Sequence, residues 1–173
     1  MAMEDDNPQA GELASREPSV EDLVALCRRL RDLGARYLVV GGFAIRSAGY
    51  ARTTIDIDLV IDTSSENERK VYEALRSLPD RAVDELEPGD VSKYVVVRVA
   101  DEIVVDLMHS ASGIEYEEAA KDVVLRKIDG VEISFASPRL LWRMKKDTHR
   151  EKDAGDLVFL REWFKARGET PPE

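Results

Sequence analysis

The sequence predicts an α+β domain in which a mixed sheet is flanked by helices. In the first half of the chain, short apolar runs rich in Val and Ile alternate with helical patterns. Further β-rich runs follow, and two of them flank Asp129-Gly130, a pair typical of a hairpin turn. Residues 137–168 carry helical patterns only, so helices are interleaved with strands early and bundled late.

The first elements are bounded by clear start and stop signals. Ser19 suits a helix N-cap, since two acidic residues follow it, and Gly34 ends the helix. The apolar positions between them have helical spacing: Leu23, Leu26, Cys27, Leu30 and Leu33. Residues 36–40 predict a short buried strand and residues 54–61 the next one. The stretch GGFAIRSAG between these strands predicts a tight turn and a short helix.

The remaining elements follow from the same signals. A helix is predicted over 64–78, because Pro79 stops it. Residues 91–99 and 102–108 predict two strands joined as a hairpin. A short helix within 113–122 precedes the hairpin around Asp129-Gly130. Two helices then complete the chain. The first starts at Ser137-Pro138, with Ser as N-cap and Pro at N1, and the second covers about 151–167 and closes at Gly168.

The chain of 173 residues fits one domain. We assign this domain to residues 19–168, with a sheet core over 36–135 and C-terminal helices over 137–168. Residues 1–18 are acidic and poor in apolar side chains, and they predict a disordered tail. Residues 169–173 form a polar, Pro-rich tail.

Composition narrows the function classes. Asp and Glu outnumber Lys and Arg by 35 to 25, a net charge of −10, which argues against broad non-specific nucleic-acid binding but leaves a local basic patch possible. The single cysteine, Cys27, excludes an intramolecular disulfide and favours a reduced compartment. No apolar run reaches the roughly 18 residues of a membrane span. We therefore expect a cytoplasmic protein with no membrane partner.

Two carboxylates interrupt the most strand-like segment of the chain, TIDIDLVI. Because side chains alternate along a strand, Asp56 and Asp58 share one face, while Ile55, Ile57 and Leu59 face the core. Two acids so close repel each other, and a hard divalent cation such as Mg²⁺ would relieve the repulsion. The alternative is a half-exposed strand whose polar face is acidic.

A third carboxylate, Asp106, interrupts another apolar strand, IVVDLM. Its alternative interpretation is an ion pair or an edge-strand charge. Three acids on two strands are enough to hold two metal ions, one for an attacking oxygen and one for a leaving group.

The pair Gly41-Gly42 follows a strand and precedes a short helix. Glycine lets the backbone approach a ligand closely, and amides at a helix start suit phosphate. No Lys-Ser or Lys-Thr follows, so the segment is not a Walker A loop. The alternative is an ordinary turn.

The glycines and the paired carboxylates together resemble a known family. Val40 and the two glycines are followed, after thirteen residues, by Asp-apolar-Asp-apolar at 56–59. This arrangement resembles the nucleotidyltransferase superfamily that includes DNA polymerase beta, with a spacer at the long end of the family range. The resemblance implies a palm-like sheet core and places Gly41 and Gly42 against the nucleotide phosphates. It also implies Mg²⁺ bound by three carboxylates, those of Asp56, Asp58 and Asp106.

A late charged motif extends the resemblance. Lys145 is followed by Arg150, by Lys152-Asp153 and by Asp156, a spacing similar to that of bacterial minimal nucleotidyltransferases related to abortive-infection toxins. The resemblance implies that Lys145 contacts the triphosphate and that Asp153 acts as a base or an orienting group. The alternative is a solvated helix face with i,i+3 and i,i+4 ion pairs.

Some further residues are weaker candidates. Arg46, one helical turn past the glycines, could reach phosphate or lie on the surface. Arg52 leads into the paired carboxylates, where related sequences often carry Arg, and could contact nucleotide. His109 could shuttle a proton, although a structural role is favoured. Trp142 and Met144 read as packing residues, with a base pocket as the alternative.

The sequence thus predicts Mg²⁺-dependent transfer of a nucleoside monophosphate from an NTP to an acceptor hydroxyl. The acceptor is left open between a tRNA 3′ end, a protein and a small molecule. Chains of this kind are often associated with toxin–antitoxin pairs, which would make a cognate antitoxin a partner. The alternatives are a catalytically silent nucleotidyltransferase-fold subunit that acts as a binding protein or antitoxin, and an unrelated α+β interaction module with a solvated acidic face.

Overall fold

The computed structural model describes residues 14–173. In chain order the helices are α1 (Val20–Asp32), α2 (Gly41–Ala48), α3 (Ser65–Leu75), α4 (Asp90–Lys93), α5 (Tyr116–Ala119), α6 (Pro138–Lys145) and α7 (Glu151–Ala166), with one 3₁₀ turn at Ala82–Glu85. The strands are β1 (Tyr37–Val40), β2 (Asp56–Ile61), β3 (Val97–Ala100), β4 (Val104–Met108), β5 (Ser110–Ala111), β6 (Ile114–Glu115), β7 (Val123–Ile128) and β8 (Val131–Ala136).

The main sheet has six strands in the order β3-β4-β2-β1-β8-β7. The central pairs β2–β4 and β1–β8 are parallel, whereas β1–β2 and the two edge hairpins, β3–β4 and β7–β8, are antiparallel. The mixed sheet and both predicted hairpins are therefore confirmed. Because β2 is paired on both sides, its acidic residues lie on a strand that cannot shift without breaking two ladders.

The two faces of β2 are chemically different, as the alternation predicts. Ile57 and Leu59 are completely buried on the face opposite the acids. Ile55 was also expected in the core, and this prediction is wrong, because its side chain is 64% exposed. Residue 55 precedes the first paired residue of β2, Asp56, so no neighbouring strand or helix covers it.

Helix α1 begins as predicted. The Ser19 hydroxyl accepts the Asp22 amide, and the Asp22 carboxylate accepts the Ser19 amide at 2.7 Å, which closes a capping box. Four of the five predicted apolar residues lie on the buried face of α1, together with Val24: Leu23, Val24, Leu26, Cys27 and Leu30. This face packs on β8 and α3. The fifth predicted residue, Leu33, is the C-cap of α1 and is only partly buried.

The segment before α1 lies against the β3–β4 turn. The Ser15 hydroxyl donates to the Asp101 carbonyl at 2.6 Å, and the Arg16 amide donates to the Glu102 carbonyl at 2.9 Å. The rest of the predicted acidic tail, residues 1–13, lies outside the described residues.

The predicted strand over 91–99 is wrong in its first half. Helix α4 occupies that part, and β3 begins only at Val97. The physical reason is a buried carboxylate on α3: Glu68 accepts the Gly89 amide at 2.6 Å and the Val91 amide at 3.4 Å. These bonds satisfy amides at the start of the helical turn and stabilise it. Because Glu68 is distant in sequence, the local β propensity of residues 91–99 gives no sign of this stabilisation.

The C-terminal helices α6 and α7 pack on each other, and α6 also packs on α2 and β8. Ser137 caps α6 through the Leu140 amide with Pro138 in the first turn, as predicted. The Trp142 indole donates to the carbonyl of Pro172, so the last residues of the chain cover this side chain. Among residues 14–173, no helix is both long enough and apolar enough to cross a membrane.

Candidate functional site

A cleft of about 630 Å³ opens between the sheet and the C-terminal helices. One wall carries side chains of β2, β3 and β4, and the other carries α6, the start of α7 and the loop between them. The segment 52–55 and the start of α2 close one end. A more open depression of about 690 Å³ lies beside α5, but its lining contains none of the predicted site residues.

Three carboxylates converge on the sheet wall of this cleft. Asp58 is directly opposite Asp106 in the parallel β2–β4 ladder, and Asp56 lies one pleat away on the same face. One oxygen from each carboxylate lies within 4.8 Å of the other two. The predicted convergence is confirmed, and we call these residues the acidic triad.

The surroundings of Asp56 and Asp58 oppose the ionisation of these two carboxyl groups. Burial, followed by the charges of Asp56 and Asp106, raises the pKa of Asp58 to about 7. Burial and the neighbouring Asp106 also raise the pKa of Asp56. A cation between the carboxylates would relieve both effects. The donor set fits a hard divalent ion, because all three ligands are carboxylate oxygens.

Sequence reasoning missed Arg98, which lies beside the acidic triad. Arg98 is opposite Asp106 in the β3–β4 hairpin and forms a bidentate pair with it, Nε to Oδ1 at 3.0 Å and Nη2 to Oδ2 at 2.9 Å. Its Nη2 is also 3.4 Å from an Asp56 oxygen. The ion pair considered as an alternative for Asp106 is therefore present. The signal was available, since Arg98 interrupts the apolar run VVVRV on the strand expected to pair with Asp106.

The two glycines allow α2 to start against the acidic strand. Gly41 has φ +65°, and a Cβ at this position would overlap the Asp58 carboxylate. A Cβ at Gly42 would lie 2.5 Å from the Thr54 hydroxyl oxygen. The N-cap residue of α2, Val40, has no side chain that can accept its first amides. Both glycines line the cleft, so these amides lie beside the acidic triad.

Lys145 and Asp153 on the opposite wall belong to a second charged group, which we call the buried network and which also includes Arg52 at the end of the cleft and Asp156 behind its lining: Arg52, Lys145, Asp153 and Asp156. The Lys145 ammonium is 2.8 Å from Asp153 Oδ1 and 3.0 Å from Asp156 Oδ2, and only 6% of the residue is exposed. Asp156 is completely buried and also holds the Arg52 guanidinium through two contacts of 2.7 and 3.0 Å. Of the helix-face ion pairs considered for this motif, the i,i+3 pair Arg150–Asp153 is present, whereas the other ion pairs of the motif are buried and connect different elements.

Asp153 is surrounded by donors. Burial tends to raise its pKa, but hydrogen bonds from Lys145, from the Thr148 hydroxyl at 2.7 Å and from Arg150 Nε at 2.7 Å outweigh burial and hold the pKa at about 2. A carboxylate with this pKa is a poor proton acceptor near neutral pH. Of its two predicted roles, the surroundings favour orientation over base catalysis.

Of the remaining candidate residues, some line the cleft and others lie outside it. Arg46 is exposed, and its guanidinium lies 5.3 Å from the centre of the Phe43 ring and outside the cleft lining, which does not support the predicted phosphate contact. His109 lies with Nδ1 3.1 Å from the Val91 carbonyl, a structural contact. Met144 lines the cleft, whereas Trp142 does not.

Solved structures with a similar fold are nucleotidyltransferase-like proteins. A protein from Thermotoga maritima described as a candidate nucleotidyltransferase superposes with a TM-score of 0.53 over 90% of this chain and 99% of that chain, at 16% identity. This chain has a nucleotidyltransferase-like fold. An antigenic nucleotidyltransferase-like protein from Paracoccidioides brasiliensis matches 85% of this chain and 76% of that chain, with a TM-score of 0.49 and 17% identity. No protein-family model and no curated protein sequence matches the chain.

The nucleotidyltransferase-like fold accounts for the mixed sheet with flanking helices, which was predicted from the sequence. At these identities the similarity concerns the fold alone. The chemistry of the cleft therefore has to be argued from the acidic triad, the glycines and the buried network themselves.

Proposed function

We propose that this chain is a Mg²⁺-dependent nucleotidyltransferase that transfers a nucleoside monophosphate from an NTP to an acceptor hydroxyl. One observation carries the proposal: the acidic triad converges within the cleft, directly beside the uncapped start of α2. Carboxylates for a divalent cation and helix-start amides that no side chain caps are thus adjacent, as a metal–triphosphate substrate requires.

The acidic triad would hold the cation. When bound, Mg²⁺ would neutralise phosphate charge and lower the pKa of the attacking hydroxyl. In the transfer, the acceptor oxygen would bond to the α-phosphorus, its hydroxyl proton would pass to water, the bond to the bridging oxygen would break, and pyrophosphate would leave. The chain contributes positioning and charge, since the amides of Gly41 and Gly42 can donate to the phosphate oxygens.

Within the buried network, Lys145 would contact the substrate phosphates from the opposite wall. An ammonium has three donors, and Asp153 and Asp156 take two of those on Lys145. The third is available for a β- or γ-phosphate oxygen. Asp153 then acts as the orienting group that holds the ammonium at the cleft wall, and Arg52, which also lines the cleft, is a second candidate for nucleotide contact.

For the acceptor, an RNA 3′ end is the first class to test. Arg150 and Lys152 line the cleft and are exposed, which suits an anionic acceptor despite the acidic total charge. A protein hydroxyl and a small molecule remain as alternatives. A cognate antitoxin and a cytoplasmic location stay parts of this proposal, supported respectively by the motif resemblance and by the unpaired, buried Cys27.

A catalytically silent binding protein is the second candidate function. The observation that favours it is the bidentate pair between Arg98 and Asp106, which already provides a counter-ion for one carboxylate of the acidic triad. If this pair is permanent, the acids need no metal.

The test is label transfer from each α-labelled NTP, with Mg²⁺, to total RNA, to total protein or to a small-molecule extract of the host. We expect one acceptor class to become labelled by the wild type and not by Asp58→Asn. Asp62→Asn is the matched control, because Asp62 lies just past the other end of β2, pairs with Arg36 at 2.6 Å and is outside the cleft lining. Equal labelling by wild type and Asp58→Asn, or no labelling with any NTP, would overturn the proposal.

A further inference from the structure

The ion pair beside the acidic triad is asymmetric. The Asp106 side chain is 7% exposed and fixed in the central ladder, whereas the Arg98 side chain is 57% exposed on the edge strand β3. Arg98 therefore covers the carboxylates from the solvent side and has open space on its other side. Any change in this pair must come from movement of the arginine, because Asp106 is held by packing.

The present partner of Arg98 conflicts with a metal on the same carboxylate. Both Asp106 oxygens accept guanidinium N–H groups, and Nη2 also approaches Asp56. A divalent cation on these oxygens would lie within a few ångströms of the guanidinium, and like charges at that separation repel strongly when they are partly shielded from water. Cation binding at the triad must therefore weaken the contact between Arg98 and Asp106.

A displaced Arg98 would remain in the cleft, because it is part of the lining. The neighbouring Val95 and Val96 are exposed and offer no charged group to receive it. A polyphosphate held by the start of α2 and by the cation would provide such a group. Its anionic oxygens match the planar fork of a guanidinium as well as a carboxylate does.

We propose that Arg98 exchanges partners: it pairs with Asp106 in the metal-free protein and with the polyphosphate of the substrate once a divalent cation occupies the acidic triad. This inference rests on the proposed function, since it requires both ligands in this cleft. Its consequence is that the cation alone binds against competition from Arg98, whereas cation and polyphosphate together bind with support from Arg98. The two ligands are thereby coupled through one side chain.

The experiment measures both affinities on the wild type, Arg98→Ala and Arg98→Lys. The first titration uses Mn²⁺ alone, followed by its electron paramagnetic resonance signal. The second titrates inorganic tripolyphosphate at a constant excess of Mg²⁺, followed by calorimetry. Arg126→Ala is the matched control, because Arg126 is an exposed arginine on the other edge strand, β7. Unfolding in urea confirms that each variant is folded.

We expect changes of opposite sign. Arg98→Ala should bind Mn²⁺ alone at least about fivefold more tightly and Mg²⁺-tripolyphosphate at least about fivefold more weakly, within the usual range of coupling between sites. Arg98→Lys should lie between the wild type and Arg98→Ala in both titrations, because it keeps the charge and loses the fork.

Other outcomes separate the possible failures. If both affinities fall in Arg98→Ala, the arginine only positions Asp106, and the exchange is wrong. If neither changes, Arg98 has no part in the site, and the exchange is equally wrong. If the wild type binds neither Mn²⁺ nor Mg²⁺-tripolyphosphate, the proposed function fails and the exchange fails with it.

Discussion

The two walls of the cleft carry charged groups that differ in charge balance, since acids and bases are equal in the buried network and acids exceed bases around the acidic triad. The buried network combines two carboxylates with an ammonium and a guanidinium, and Arg150 adds a further donor to Asp153. The acidic triad combines three carboxylates with a single, largely exposed arginine. The pKa values move accordingly, down to about 2 for Asp153 and up to about 7 for Asp58.

This difference indicates that the buried network stabilises the fold, whereas the acidic triad is suited to binding a cation. Every oxygen of Asp153 and Asp156 has a cationic partner within 3.0 Å, so the charges of the buried network are balanced without any added ion. The Arg52 Nε–Asp156 Oδ1 contact, at 2.7 Å, is an ion pair without hydrogen-bond geometry. The acidic triad is incomplete by the same measure, because only Asp106 has cationic partners within 3.0 Å, while the nearest cationic atom to Asp56 is 3.4 Å away and no ion pair reaches Asp58 among the described residues. Removing a charge should therefore damage the first group and relieve the second.

The largest expected effect is the loss of activity in Asp58→Asn. Even residues that only support a metal ligand are worth about 10–100-fold, so the loss of a ligand should lower transfer by more than about 100-fold. The metal-free unfolding free energy should stay constant or rise, because the substitution removes repulsion. Labelled-NTP transfer and urea unfolding measure the two quantities. A clear fall in stability would mean that the acidic triad also holds the fold.

Asp156→Asn should lower the stability of the metal-free protein, in contrast to Asp58→Asn. It leaves Lys145 and Arg52 without their shared carboxylate, and breaking a buried pair in this way typically lowers stability by about 3–5 kcal/mol. Urea unfolding of the metal-free protein measures the change. A decrease below about 1 kcal/mol would show that water reaches the site and that the two walls do not differ as described.

Lys145, the last residue of α6, and Lys146, its C-cap, should differ in nucleotide binding. Lys145 faces the cleft, whereas Lys146 lies outside its lining, 4.0 Å from Asp147. Lys145→Ala should weaken NTP binding about 10–100-fold, the value of a charge-assisted hydrogen bond, and Lys146→Ala should have little effect with nucleotide alone. NTP titrations at fixed Mg²⁺ compare them, below the unfolding temperature of each variant. A larger effect of Lys146→Ala would place the late motif one residue out of register.

The smallest expected effect is a pH dependence of the metal-free protein. The folded-state pKa of Asp58 is raised to about 7, so its protonated form favours folding, and this stability is lost as pH rises through 7. Between pH 6 and 8 the loss should be on the order of 1 kcal/mol. Asp58→Asn should flatten the dependence in urea unfolding carried out with EDTA. An unchanged slope would mean that Asp58 does not titrate in this range.

Asp153 should contribute a pH dependence of opposite sign. Its folded-state pKa is lowered to about 2, so its stabilisation is present above about pH 4 and is lost as pH falls toward 2. Asp153→Asn should remove this part of the acid sensitivity and leave the slope between pH 6 and 8 as it is in the wild type.

The sequence predicted those features that depend on local pattern. The alternation of side chains along a strand predicted that Asp56 and Asp58 share one face. The apolar residues around Asp106 indicated that this acid belongs to the same site. The N-caps Ser19 and Ser137 followed from residue type and spacing.

Features that depend on distant partners were not predictable in the same way. The pairing of Arg98 with Asp106 requires the strand register, and the segment before β3 was misassigned because Glu68 stabilises a helical turn there. Arg52 and Asp156 are 104 residues apart, and no local pattern connects them. Tertiary contacts therefore decide both the buried network and the counter-ion of the acidic triad.

The most direct test of the central claim is thermal unfolding with each NTP, in the presence of Mg²⁺ or of EDTA. A ligand at about 100 times its Kd stabilises the native state by about 2.7 kcal/mol, which corresponds to a Tm increase of roughly 5–10 °C for a chain of this size. We expect this increase for the wild type and for Asp62→Asn, only when NTP and Mg²⁺ are both present, and not for Asp58→Asn. An equal increase with EDTA, or in Asp58→Asn, would contradict a metal-dependent nucleotide site at the acidic triad.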